Sequence, residues 1–422
     1  MEYIDGAIIT NVGEKSVQSF LVEQGCADDV DTLGMQLENR LGILIEKKKL
    51  NKKVFEDFLF EELFFGKRKL IHIYMLDSFK KILYESDWLD KLKKKHGCKT
   101  LNYNNLINTH VSSGDKVKVG AIKSKTNDEG ELVRLQIIFV YYIDINKNGH
   151  LSSSYSYIPV DFDFNKRIIV VKAWNRKYIE KDYHKPIYLM EHIIEDLMNL
   201  FKFTIKEFSN KHQKILYRMS KGLIEELFEN ITAYSDIDCM SNEIQKFIKA
   251  TTNNIELENV IYDEDGNKLI CDDVIDLKDE LIKLLQRLVV SDFFLLREFD
   301  DVWEMNLSAI ITCIRFNDTE NITARLTGEN RKKAIFCSKT FMSLLKSIEE
   351  VQEVEALWIA YEKDRGTVEL KYDATNRKYL CVMILSQRCY SGKDFSLMWE
   401  MFKKYEPGVI NKVKRHCRQD VS

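Results

Sequence analysis

A chain of 422 residues, with hydrophobic side chains at 45% and charged ones at 31%, has room for two or three folded domains and is too apolar to be disordered. Net charge is −3, which excludes a uniformly basic protein, yet the charge is unevenly placed. Residues 1–40 hold two basic against eight acidic side chains, and residues 41–125 hold nineteen against ten, a local excess that points to an anionic partner.

The first ~110 residues read mostly as helical from their apolar spacing. Val54, Phe55, Phe58, Leu59, Leu63 and Phe64 keep a 3.6-residue period, with Gly66 as a stop. A second helix is expected through Leu76, Phe79, Ile82 and Leu83. A third is expected around Trp88, Leu89 and Leu92, with Ser86 as its cap and Gly97 past its end. The stretch Val111–Asp115 reads as a boundary.

From Lys116 the period changes to two. Strands are expected at Val117–Lys123, Leu132–Ile145, Ser153–Val160 and Arg167–Trp174, with an Asn148-Gly149 hairpin turn between the second and third. An amphipathic helix with Ile193, Ile194, Leu197, Leu200 and Phe201 would then cover one face of the meander. Residues 205–250 are again helical in pattern. After a short hairpin at Val260–Ile270 comes a helix carrying Leu277, Leu281, Leu284, Leu285 and Leu288.

The last ~120 residues mix both periods. Strands are expected at Ala309–Phe316 and Ile322–Leu326, then a helix at Phe341–Ile348. A meander at Ala356–Glu362, Thr367–Asp373 and Tyr379–Leu385 follows. Asp394 would cap a final helix with Phe395, Met398, Met401 and Phe402. The expected class is therefore α+β. A helical, basic N-terminal domain (1–112) precedes a meander with its covering helix (113–205), a helical connector (206–300) and a C-terminal α+β domain (301–422).

No stretch approaches the ~20 apolar residues of a spanning helix, and the N-terminus lacks the marks of a signal peptide. The nine cysteines are scattered, without C-x-x-C spacing. The expectation is a cytoplasmic protein in a reducing compartment, without a membrane partner, metal or cofactor. Three prolines beside abundant Lys, Ile, Asn and Phe suit an AT-rich microbial genome.

Four constellations carry chemistry. Lys67, Arg68 and Lys69 stand beside Phe64, Phe65 and Tyr74. Lys91, Lys94 and Lys95 share a helical face, with Lys93, His96 and Lys99 close by. Such faces bind phosphate backbones because each neutralised phosphate releases counterions. Asp236 and Asp238 have the one-residue spacing of a nucleotidyltransferase pair, but the Gly-Ser partner upstream is missing, and a loop and helix cap explain them better.

Glu369 and Lys371 copy the E-x-K of a metal-dependent nuclease, while simple strand alternation explains them as well. Asp144, Asn146, Asn148 and Gly149 begin like a calcium loop, but Tyr155 stands where a bidentate Glu belongs. No phosphate-binding glycine loop or nucleophile elbow occurs. The expected function is a non-enzymatic subunit that contacts nucleic acid or forms a complex, in a microbial antiviral-defence or mobile-element system. The alternatives are a metal-dependent phosphoryl-transfer enzyme or nuclease, and a protein-only adaptor. A protein partner or a homo-oligomer fits either binding reading.

Overall fold

The structure is a computed structural model. It describes residues 3–407 except 28, 30–33, 115–116, 253, 256–260, 263–267, 270–276, 295–296, 298–301, 303, 306, 318–322, 328–334, 338, 364–365 and 387–389. In chain order the elements are α1 Gly6–Val12, α2 Glu14–Glu23, α3 Leu37–Glu46, α4 Lys52–Phe64, β1 Leu70–Met75, α5 Glu85–His96, β2 Tyr103–Asn104 and β3 Lys118–Thr126. Next come β4 Leu132–Lys147, β5 His150–Asp163, β6 Ile168–Ala173, α6 Pro186–Phe201, α7 Lys211–Glu229, α8 Thr232–Cys239 and α9 Ser241–Thr252. The last are β7 Ile261–Tyr262, β8 Lys268–Leu269, α10 Leu277–Phe294, β9 Ile310–Asn317, β10 Thr323–Thr327, α11 Lys339–Val351, β11 Ala356–Lys363, β12 Gly366–Asp373, β13 Leu380–Ile384 and α12 Gly392–Lys403.

The mixture of helices and antiparallel strands is the expected α+β class. The chain folds as two units. The first comprises the described residues up to His212 together with Tyr372–Lys403, and the second Gln213–Lys371 with the described residues from Lys404. Expected segments 1–112 and 113–205 thus fall in one unit, while β13 and α12 leave the expected C-terminal block to join it.

Unit 1 is built on the strand order β13-β1-β6-β5-β4-β3-β2. Its longest ladder, β4 on β5, runs from Arg134↔Asp163 to Lys147↔His150. Asn148 (φ 54°) and Gly149 (φ 82°) both take positive φ in the turn, as a two-residue type I′ hairpin demands. The calcium-loop lookalike is therefore a hairpin, and Asp144 pairs with Lys181 at 2.9 Å.

One face of this sheet packs Leu135, Ile137 and Phe139 against Trp88 and Leu92 of α5 and Ile193, Ile194 and Leu197 of α6. On the other face Ile138, Val140 and Tyr157 meet Ile8 and Val12 of α1 and Leu59, Leu63 and Phe64 of α4. The helix expected through Leu76 and Ile82 is absent. In its place stands only a single 3-10 turn at Lys80–Ile82, and just before it β1 pairs with both β6 and β13. Strand β1 is buried along almost its whole length, so it shows no alternation that would identify it from sequence.

In unit 2, β9 pairs antiparallel with β10 and with β11, giving the order β10-β9-β11-β12. Helix α10 packs on α8 and α9. The hairpin expected at Val260–Ile270 is present as β7 and β8, with its turn outside the described residues. Among the described residues, no helix is long and apolar enough to cross a membrane.

Candidate functional site

Helix α5 is fixed at both ends by local chemistry. At its start the Tyr84 N–H donates to Asp87 Oδ2 at 3.0 Å, so the cap is Tyr84, two residues before the expected Ser86. At its end Gly97 takes φ 72° and its N–H donates to Lys93 O at 2.9 Å, as a left-handed C-terminal glycine should. Trp88 and Leu92 face inward. The Trp88 indole N–H donates to Ile82 O at 2.9 Å, and its ring lies 4.0 Å from that of Phe201. That inward face decides where each lysine goes.

Lys91 lies with its Nζ 5.2 Å from the Phe201 ring, and Lys95 reaches Asp196 at 3.3 Å, so both lean toward α6. Lys93, Lys94 and Lys99 are exposed. The helix's last turn also carries cations that meet its C-terminal dipole favourably. His96 is pushed down to about 4, first by burial and then by Lys95, so it adds no positive charge to this turn at neutral pH.

The Lys67–Lys69 triplet is arranged differently. Lys67 donates to Thr10 O at 2.8 Å and covers the Trp174 ring at 4.8 Å, and Lys69 donates to Ser386 O at 2.6 Å. Arg68 is fully buried. It donates to Asn11 O at 2.8 Å and Asn11 Oδ1 at 2.9 Å, with its guanidinium 5.7 Å from the Tyr157 ring. Burial pushes it down to about 10. The expectation that Arg68 joins a phosphate-binding surface is corrected: the side chain is an interior tie between α1 and the start of β1.

The carboxylate lookalikes do not assemble either. Asp236 and Asp238 fall within α8, and positions two apart on a helix stand roughly 200° apart around its axis. The two-metal chemistry needed a strand, where both would share a face. Asp236 is exposed. Glu369 and Lys371 do lie on β12, alternating with the buried Val368, Leu370 and Tyr372, and Lys371 Nζ stands 4.9 Å from the Trp358 ring. Among the described residues, no group of three or more His, Cys, Asp or Glu side chains could hold a metal ion.

A second site in unit 1 escaped the sequence reading. The sheet face carrying Arg134, Asp161 and Val170 opens into a cleft of about 500 Å³ beneath α12, walled by Phe65 and Phe395. Asp161, nearly buried, accepts from Arg134 Nε at 2.8 Å and Nη2 at 2.5 Å, a bidentate pair that raises the guanidinium pKa. Behind the aromatic wall lies Lys172, 1% exposed. Its Nζ stands 4.2 Å from the Phe64 ring, 3.9 Å from Phe65 and 5.4 Å from Phe395. Its hydrogen bond to Phe64 O is long, at 3.4 Å. Burial pushes this amine down to about 7, against a smaller opposing pull from Asp161.

The signal for this site was a lone lysine in the apolar run Ile168-Ile-Val-Val-Lys172-Ala173. Alternation places it on the face of Ile168 and Val170, but nothing in the sequence says that both faces of that strand are covered.

No protein-family model matches the chain, and no curated protein matches it.

Proposed function

We propose that this protein is a non-enzymatic subunit that contacts nucleic acid through the end of α5 in unit 1. The observation that carries the reading is the exposure of Lys93, Lys94 and Lys99 around one helix terminus. Three cations that reach solvent from a rigid element are what a phosphate backbone engages, without regard to base sequence. The packing of Trp88 and Leu92 beneath them supports it, since a fixed helix presents its charges without a further cost of ordering the backbone. A place in a microbial antiviral-defence or mobile-element system belongs to the same proposal and rests on composition alone.

The test is fluorescence anisotropy of labelled duplex DNA, single-stranded DNA and RNA against the purified protein, across a salt titration with and without Mg²⁺. The expected result is affinity that falls with salt, intact strands, and loss of binding in K93E/K94E/K99E. Absence of binding at low salt would sink the proposal, and Mg²⁺-dependent cleavage would replace it with an enzyme.

A further inference from the structure

Arg68 is a fully buried cation whose hydrogen-bond partners, Asn11 O at 2.8 Å and Asn11 Oδ1 at 2.9 Å, are both neutral. Its Nε–H meets no acceptor, and no carboxylate lies within ion-pair distance of it, among the described residues. Two phenols beside it are in the same position. Tyr157, 1% exposed, and Tyr390, 4% exposed, each bury a hydroxyl without a partner among the described residues. The Tyr157 ring lies 5.7 Å from the Arg68 guanidinium, and Tyr390 pairs with Gly66, two residues before Arg68. Burial raises the pKa of both phenols and the Arg68 charge opposes it, so both O–H groups stay protonated at neutral pH and can donate.

Buried polar groups are normally paired, and a buried charge needs an opposite one. The surrounding charges do not supply it. Arg176 is near enough to repel Arg68, and it shares the Trp174 ring with Lys67, each cation 4.8 Å from the ring centre. Against these three cations stands Glu62, whose Oε2 also lacks a partner among the described residues. Burial raises its pKa, against smaller pulls from Ser16, Arg68 and Lys67. The carboxylates within reach of the phenols are already engaged. Asp5 caps α1, Asp161 holds Arg134, and Asp394 holds Ser391.

We propose that Arg68 Nε and the hydroxyls of Tyr157 and Tyr390 form a binding site for a halide-sized monovalent anion, chloride in a cell. The anion accepts a charge-assisted hydrogen bond from the guanidinium and one from each phenol, and it supplies the charge that Asn11 cannot. The enclosure of all three side chains selects a monatomic ion over phosphate or a carboxylate. This site goes beyond the α5 reading and does not depend on it.

The test is urea denaturation of the full chain at fixed ionic strength, with sodium chloride replacing sodium gluconate, whose anion is too large for the interior. A ligand that binds only the folded state lowers the unfolding equilibrium constant by one plus its concentration over its dissociation constant. A dissociation constant on the order of 10 mM therefore gives about a ten-fold drop at about 100 mM chloride. Y157F/Y390F keeps both rings and removes only the donors, so it should fold and lose most of that response. A crystal grown in bromide should show an anomalous peak within hydrogen-bond distance of Arg68 Nε. Equal stability in chloride and gluconate, a chloride response unchanged in Y157F/Y390F, or an ordered water where bromide is expected would each overturn the proposal.

Discussion

Lys172 offers a direct test of how the interior of unit 1 treats charge. Burial pushes its amine down to about 7, whereas an unfolded lysine titrates near 10.4. Between those values the unfolded chain holds a proton on Lys172 that the folded chain has released, so raising the pH removes an advantage of the unfolded state and stability rises. Below about pH 7 both states are protonated, and above about 10.4 neither is, so the effect is confined to that window. Integrating the linkage from pH 7 to 9 gives a rise of about 2 kcal/mol. Lys172→Met keeps the length of the side chain and fills the same space. Urea denaturation of both proteins at several pH values should show the variant more stable at pH 7, with the gap closing by that amount at pH 9. The opposing force is the ring faces of Phe64 and Phe65, at 4.2 and 3.9 Å, which favour the ammonium. If they prevail over desolvation, the two curves will run parallel and the variant will be the less stable at every pH. That result would refute the burial argument.

Two further substitutions probe the same half of the molecule. Asn11→Ala removes the side-chain acceptor of the buried Arg68 Nη2 and should cost about 2–3 kcal/mol in the same denaturation assay, because an interior guanidinium is left short of partners. Gly66→Ala should cost about as much, or prevent folding: φ is +38°, and an added Cβ would lie 2.6 Å from Glu62 O, a backbone atom that cannot step aside. An Asn11→Ala protein as stable as wild type would mean that Arg68 finds another partner, and a stable Gly66→Ala protein would mean that the turn after α4 is not tightly held.

Much of the fold could be read because its signals are local. Trp88, Leu92 and Gly97 define α5 within a dozen residues, and Asn148-Gly149 defines the long hairpin in two. Tertiary pairing was hidden. β1 carries the motif Leu70-Ile-His-Ile-Tyr-Met75, whose burial on both faces erases the alternation that marks a half-exposed strand. Its partner β13, with Leu70 opposite Met383, lies more than three hundred residues away along the chain, and no composition shift announces it. The final helix shows the finer limit. Asp394 was expected to cap it. In the structure Asp394 sits inside the first turn and accepts from the Ser391 N–H at 2.8 Å and the Ser391 hydroxyl at 2.9 Å, so Ser391 begins the helix.

The basic segment shows why counting charges along a chain overstates a surface. Of the eight cations singled out as candidates for contacting nucleic acid, Arg68 is interior, and Lys67 and Lys69 are tied to backbone carbonyls. Lys91 and Lys95 reach toward α6, whereas Lys93, Lys94 and Lys99 are exposed and point to no such neighbour in the contacts above. These two countings differ in a measurable number. Each phosphate neutralised on duplex DNA contributes about 0.9 to the slope of log affinity against log salt. Three lysines therefore predict a slope of about −2.7, and all eight about −7. A slope near the smaller value, abolished in K93E/K94E/K99E, would locate binding at the end of α5. A slope near the larger one would require cations outside that turn to reach the phosphates. The proposed docking face would then be wrong even though the protein binds.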